Sequence, residues 1–134
     1  MSTLLAEALF AYLKDVSGLN ALVGTRIYPL VLPQNPVLPA ITYTRVSNPK
    51  QRLLARGAAD TFRPRIQFDC WAITYKSAQL VASQLQAALQ DYAGIMGGVV
   101  VLDADVDTGQ DAQDPDSREP HVQVDVIMMH QGGN

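Results

Sequence analysis

The sequence predicts an α+β domain in which two amphipathic helices pack on one face of a mostly antiparallel four-stranded sheet, in the order α-β-β-α-β-β with long loops. Three observations carry this expectation. Two segments repeat apolar residues at helical spacing, two others alternate strictly between apolar and polar residues, and proline or glycine clusters separate them. Such stripes share a single core when both helices lie on the same side of the sheet.

Leu5, Leu9, Tyr12, Leu13 and Val16 recur at intervals of three and four, so Thr3 to Val16 reads as an amphipathic helix with Ser2 or Thr3 as its cap and Gly18 as its end. The next stretch carries Gly24, Pro29, Pro33, Pro36 and Pro39. Each proline removes a backbone donor and restricts its predecessor, which leaves a short turn at Leu19 to Val23 and an extended arm at Ile27 to Val37. Ala40 to Val46 is rich in β-branched and aromatic residues and predicts the first strand. Ser47 to Thr61 reads as a basic loop, longer than most connections in a compact domain, with Leu53 and Leu54 in its middle suited to packing on a partner.

Arg63 to Ala72 predicts the second strand, with Ile66, Phe68 and Cys70 pointing one way and Arg65, Gln67, Asp69 and Trp71 the other. Thr74 is placed to cap a second helix, Tyr75 to Tyr92, whose stripe runs through Ala78, Val81, Ala82, Leu85, Ala88, Leu89 and Tyr92. Gly94, Gly97 and Gly98 then break the chain before a third strand, Val99 to Val106. Asp107 to Pro120 reads as an acidic loop in which Pro115 and Pro120 prevent continuous pairing. The fourth strand, His121 to Met129, alternates through Val122, Val124, Val126 and Met128.

A length of 134 residues suits one domain, 1–134, and 48% apolar content is that of a globular chain. Lone Cys70 excludes an internal disulfide framework and is compatible with a reducing compartment. Neither a membrane-length apolar run nor the basic start of a signal peptide is present, so no membrane partner and no export are expected.

Charge is divided along the chain. From Arg26 to Lys76 there are eight basic residues against Asp60 and Asp69, a balance of +6; from Asp91 to Asp125 there are nine acidic residues against Arg118, a balance of −8. Two segments of opposite sign can dock copies of a chain, or unlike partners, through complementary surfaces. The plainer alternative is a pair of solvated loops.

Chemical readings of these residues are weak. Zinc requires about four convergent Cys or His ligands, and one Cys with His121 and His130 far from it in sequence does not supply them. Counting from Asp103, the glycine and glutamate positions of a helix-loop-helix calcium motif hold Thr108 and Asp114. No serine sits in a nucleophile elbow, and Gly94 to Gly98 lacks the lysine of a phosphate loop. Neither catalysis nor a cofactor is expected. A small enzyme or cation-binding accessory factor using the carboxylates from Asp103 to Asp116 is the main alternative. Trp71 lies opposite the apolar parity of its strand, so either both sheet faces are covered, or an indole stands free for an interface, or a twist turns it inward. Ile127 and Met129, on the polar parity of their strand, add to the case for self-assembly.

The opening helix leading to Leu19-Asn20-Ala21-Leu22-Val23-Gly24-Thr25-Arg26-Ile27-Tyr28-Pro29, then Leu38-Pro39-Ala40-Ile41-Thr42-Tyr43, then Arg65-Ile66-Gln67-Phe68-Asp69-Cys70-Trp71-Ala72 before the second helix, resembles the tail completion family of long-tailed bacteriophages, the tail-to-head joining or tail terminator proteins. The resemblance runs over most of the chain. It implies a structural virion protein of the tail-neck region, assembled in the host cytoplasm, without enzymatic activity or cofactor. It further implies a ring, commonly a hexamer, that caps the head-proximal end of the tail tube, meets a head connector or head completion protein, and lets DNA pass through its channel without specific binding. Another neck component of similar fold is the nearer alternative. A closed ring needs heterologous contacts. The charge division makes Arg52, Arg56, Arg63 and Arg65 against Asp103, Asp105, Asp107 and Asp111, with Trp71 as an aromatic anchor, the expected interface.

Overall fold

A computed structural model of the chain describes residues 5–47, 50–51, 61–96, 99–113 and 120–131. Arg52 and Arg56, most of the expected basic loop 47–61, and residues 114–119 of the expected acidic loop 107–120 lie outside the described residues.

Helix α1 (Leu5–Leu13) buries Leu5, Ala8, Leu9 and Leu13, the stripe its spacing predicts. It stops short of the expected Val16. The chain turns at Lys14 and Asp15, and a second helix, α2 (Ser17–Val23), starts where a turn was expected. Gly18 therefore lies inside α2. The Asn20 side chain donates from Nδ2 to the Lys14 carbonyl at 2.9 Å, satisfying an acceptor that the end of α1 leaves free. Gly24, at φ 58°, reverses the chain after α2 in a backbone region costly for other residues.

Strand β1 (Ile27–Pro29) follows and pairs parallel with β2 (Ala40–Ser47), Ile27 opposite Ile41. Proline is tolerated in β1 because an edge strand does not need every donor. The arm between them returns the chain to the start of β2, where Arg26 pins both neighbours: Nε donates to the Pro39 carbonyl at 2.9 Å and Nη2 to that of Leu22 at 3.2 Å.

β2 continues past a bulge into β3 (Lys50–Gln51), which pairs with β4 (Thr61–Phe62) as β2 pairs with β5 (Arg65–Trp71). One long interrupted hairpin results. Helix α3 (Tyr75–Leu89) begins at Thr74, whose Oγ1 accepts from the Ser77 N–H at 3.2 Å, the expected cap. It ends one turn before the expected Tyr92. Beyond it come β6 (Gly94–Met96), β7 (Val99–Gln113) and β8 (Pro120–Gln131). β8 pairs with β5 and β4 along one side and with β7 along the other, and β6 lies outside β7.

The expected architecture is thus overturned. Among the described residues there are three helices, not two, and the strand segments occupy six positions of a mixed half-barrel sheet, not four of a mostly antiparallel one. The added members are the three-residue edges β1 and β6, too short to print a period. β7 also runs on through the acidic residues to Gln113, because its pairing with β8 is a matter of backbone bonds.

The core lies between the helices and the inner sheet face. Leu9, Leu13, Leu19, Val81, Leu85 and Leu89 close over Ile41, Phe68, Val124, Val126 and Met128, each at most 1% exposed. Cys70 packs among them as a small apolar residue; burial, with Asp69 adjacent, pushes its thiol well above the usual range.

Candidate assembly interface

β5 alternates half-buried and buried residues from Arg65 to Trp71, so Arg65, Gln67, Asp69 and Trp71 line the sheet face turned away from the helices. Antiparallel register sets Trp71 opposite His121, Asp69 opposite Gln123, Gln67 opposite Asp125 and Arg65 opposite Ile127. A continuous polar and aromatic strip therefore runs along this face.

Trp71 is neither a free indole nor turned into the core. Its ring stacks on His121 with centroids 4.3 Å apart, and Nε1 donates to Thr42 Oγ1 at 3.0 Å. His121 Nε2 stands 3.7 Å from Asp69 Oδ1, an ion pair whenever the imidazole is protonated. Burial raises the Asp69 carboxyl above its ordinary value, partly offset by His121 and hydrogen bonding from Gln67, with Asp125 adding to the rise.

The expected interface residues end in different places. Arg65 Nη1 donates to Asp125 Oδ2 at 3.1 Å, so this guanidinium has a partner inside its own chain. Arg63 is exposed just before β5. Asp103 and Asp105 are exposed on β7, opposite Met129 and Ile127. Asp105 Oδ1 takes a 3.4 Å bond from Gln90 Nε2. Asp111 is placed by backbone register, opposite Val122, whereas Asp107 falls within the register shift between Val106 and Gly109 and has no partner residue on β8. Ile127 sits between Arg65 and Asp105, so these two stand two strand spacings apart, roughly 10 Å, on one face.

The β3–β4 stem opens beside Gln131, at the end of β8, whereas the β7–β8 stem opens at Pro120, at its start. The two stems thus open at opposite ends of the sheet.

Two features of the surface were not apparent in the sequence. A cavity of about 250 Å³ opens between α1 and the β1–β2 edge, lined by Leu5, Leu9, Leu30, Tyr43, Arg45 and Ile66 among others. The far edge exposes Ile95, Val100 and Leu102. Only the unbroken apolar run Val99-Val100-Val101-Leu102 could have hinted at the second. Among the described residues no three His, Cys, Asp or Glu side chains converge as metal ligands, and no described helix is long and apolar enough to cross a membrane.

Comparison with known proteins supplies the context. No curated protein matches the sequence. A chain described as belonging to the virion of a native gene transfer agent particle superposes with a TM-score of 0.60 at 16% identity, over 96% of this chain and 97% of that one, which establishes a shared fold. The sequence also matches the family described as Tail completion protein gp17 over residues 7–131. With nearly the whole chain matched, the protein belongs to the tail completion gp17 family: it is a structural protein of the phage virion with a role in head–tail joining, not an enzyme.

Proposed function

We propose that copies of this chain close into a ring, a hexamer, at the head-proximal end of the tail tube, where one rim meets the tube protein and the other the head connector or head completion protein. Assembly takes place in the host cytoplasm, and DNA passes through the ring without specific binding. The family match over residues 7–131 carries this reading. It is supported by the opening of the β3–β4 and β7–β8 stems at opposite ends of the sheet, which gives each subunit two different ends for unlike neighbours.

Between neighbouring copies the contact sets the basic hairpin, with Arg52, Arg56 and Arg63, against the acidic β7 edge, with Asp103, Asp105, Asp107 and Asp111. Trp71 acts from its stacked position on the open sheet face, and Arg65 supports the strand through Asp125. The overall acidity of the chain, net −3, suits a channel that must release DNA.

Light scattering and electron microscopy of the purified protein, alone and with tail tubes, test the ring. A closed ring of six is expected in at least one condition. A monomer in both would overturn the proposal. Charge reversal at Arg56 or Asp105 should each weaken assembly, and the paired reversal should restore it; additive damage without rescue would remove the charge contact.

A further inference from the structure

The two edges of the sheet differ in shape and sign. At the β1–β2 edge the cavity between α1 and the sheet is floored by apolar side chains and carries Arg45 on its wall. Among the described residues Arg45 has no carboxylate partner. Leu30 and Val31, 71% and 73% exposed, stand at and just beyond this edge. At the other edge Ile95, on the three-residue strand β6, is 75% exposed, with Val100 and Leu102 beside it on β7. Asp103 and Asp105 follow directly, and Asp103 has no cationic partner among the described residues.

Each edge taken alone is a cluster of stranded apolar side chains. Single exposed apolar residues are ordinary, but groups of them beside unpaired charges mark contact surfaces. The cavity falls below the roughly 300–1,000 Å³ of small-molecule sites and suits one or two aliphatic side chains. A cation lines the cavity and anions flank the exposed aliphatics, so the two edges are complementary in both shape and charge.

We propose that the cavity at the β1–β2 edge receives Ile95 of a second copy of this chain, with Arg45 facing Asp103 and Asp105 of that copy. The socket and the plug lie on opposite edges of one sheet, β1 and β6 being the terminal strands, so the contact is heterologous and leaves a free socket and a free plug on every pair. It rests on the ring reading for the presence of a neighbour and deepens it by naming the apolar surfaces that meet. Edge strands as short as β1 and β6 offer little backbone for pairing, which makes side-chain docking the main source of the contact.

Cross-linking of the full chain tests this. In the Leu30→Cys, Ile95→Cys double variant, a short bismaleimide should produce a ladder of covalent oligomers, while either single variant should stay monomeric on a denaturing gel; Cys70 is buried and does not compete. Arg45→Glu and Asp103→Arg should each raise the concentration needed for assembly by about tenfold or more, and the combination should recover most of it. The mass of the unsubstituted protein is measured in parallel. Rings without a ladder in the double variant overturn the docking and leave the ring standing. A covalent dimer from one single variant also overturns it, since that product requires like edges to meet. No ladder with no ring overturns both.

Discussion

Arg65→Ala asks whether this guanidinium serves the fold or the contact between copies. Nη1 lies 3.1 Å from Asp125 Oδ2, and the side chains are 34% and 18% exposed. Surface ion pairs contribute about 0.2–1 kcal/mol, whereas breaking one side of a buried pair costs about 3–5 kcal/mol. Solvent reaches a third of Arg65, so the value belongs near the lower range, about 1–2 kcal/mol for the single substitution. Part of that cost is the repulsion left behind, because Asp69 and Asp125 share the strip and the Asp125 charge already opposes ionisation of Asp69. At about 2.1 cal/mol/K of unfolding entropy per residue, a chain of 134 residues loses roughly 3–4 °C of Tm per kcal/mol. A fall of about 4–7 °C follows. The assay is a double-mutant cycle of Arg65→Ala and Asp125→Ala in urea, at protein concentrations low enough that assembly does not add to stability. A coupling of about 0.5–1 kcal/mol is expected. Zero coupling with unchanged Tm, together with loss of assembly, would refute the assignment of Arg65 to the fold.

The Asp69 carboxyl, raised by burial, holds its proton to higher pH in the folded chain than in the unfolded one. Its contribution to stability therefore declines as pH rises from the ordinary carboxylate value through the folded value. Asp69→Asn should remove that decline and make the protein somewhat more stable at neutral pH, read as urea midpoints across pH; a variant less stable at neutral pH would contradict this. Trp71→Phe keeps a ring against His121 but deprives Thr42, 3% exposed, of its donor, for a loss of about 0.5–1.5 kcal/mol in denaturant unfolding; unchanged stability would show that the indole bond adds nothing. The Cys70 thiol should be silent toward a chromogenic thiol reagent in the native protein and react in step with unfolding; rapid native reaction would place it outside the core.

The reach of the sequence follows element by element. α3 and strands β5 and β8 were legible because each buries one face and so prints its own period, and β2, buried on both faces at Ala40 to Tyr43, was legible from its β-branched and aromatic composition. α2 was not, since seven residues barely complete two turns. β1 and β6 were not, because three residues define no period and their pairing is made by the backbone of distant partners. The end of β7 was misread because its side chains are those of a loop and a bulge between Val106 and Gly109 resets their alternation.

The interface divides in the same way. Opposite charge on two segments can be counted along the chain, and the acidic carboxylates at Asp103 and Asp105 do stand exposed. Counting does not show that Arg65 meets Asp125 across sixty positions, or that Arg26 is occupied with the carbonyls of Leu22 and Pro39. Nor does it single out Arg45 from the other basic residues, since its distinction is the cavity beside it.

By itself, then, the sequence determined the family, the main helix and strands, the buried place of Cys70 and the two signs of charge, all of which depend on residue order over short spans. Tertiary structure alone decided the number of strands, which charges are already paired, and where an apolar socket and an apolar plug stand at the two edges. Those depend on register between segments far apart in the chain, and register is set by the packing of the whole core.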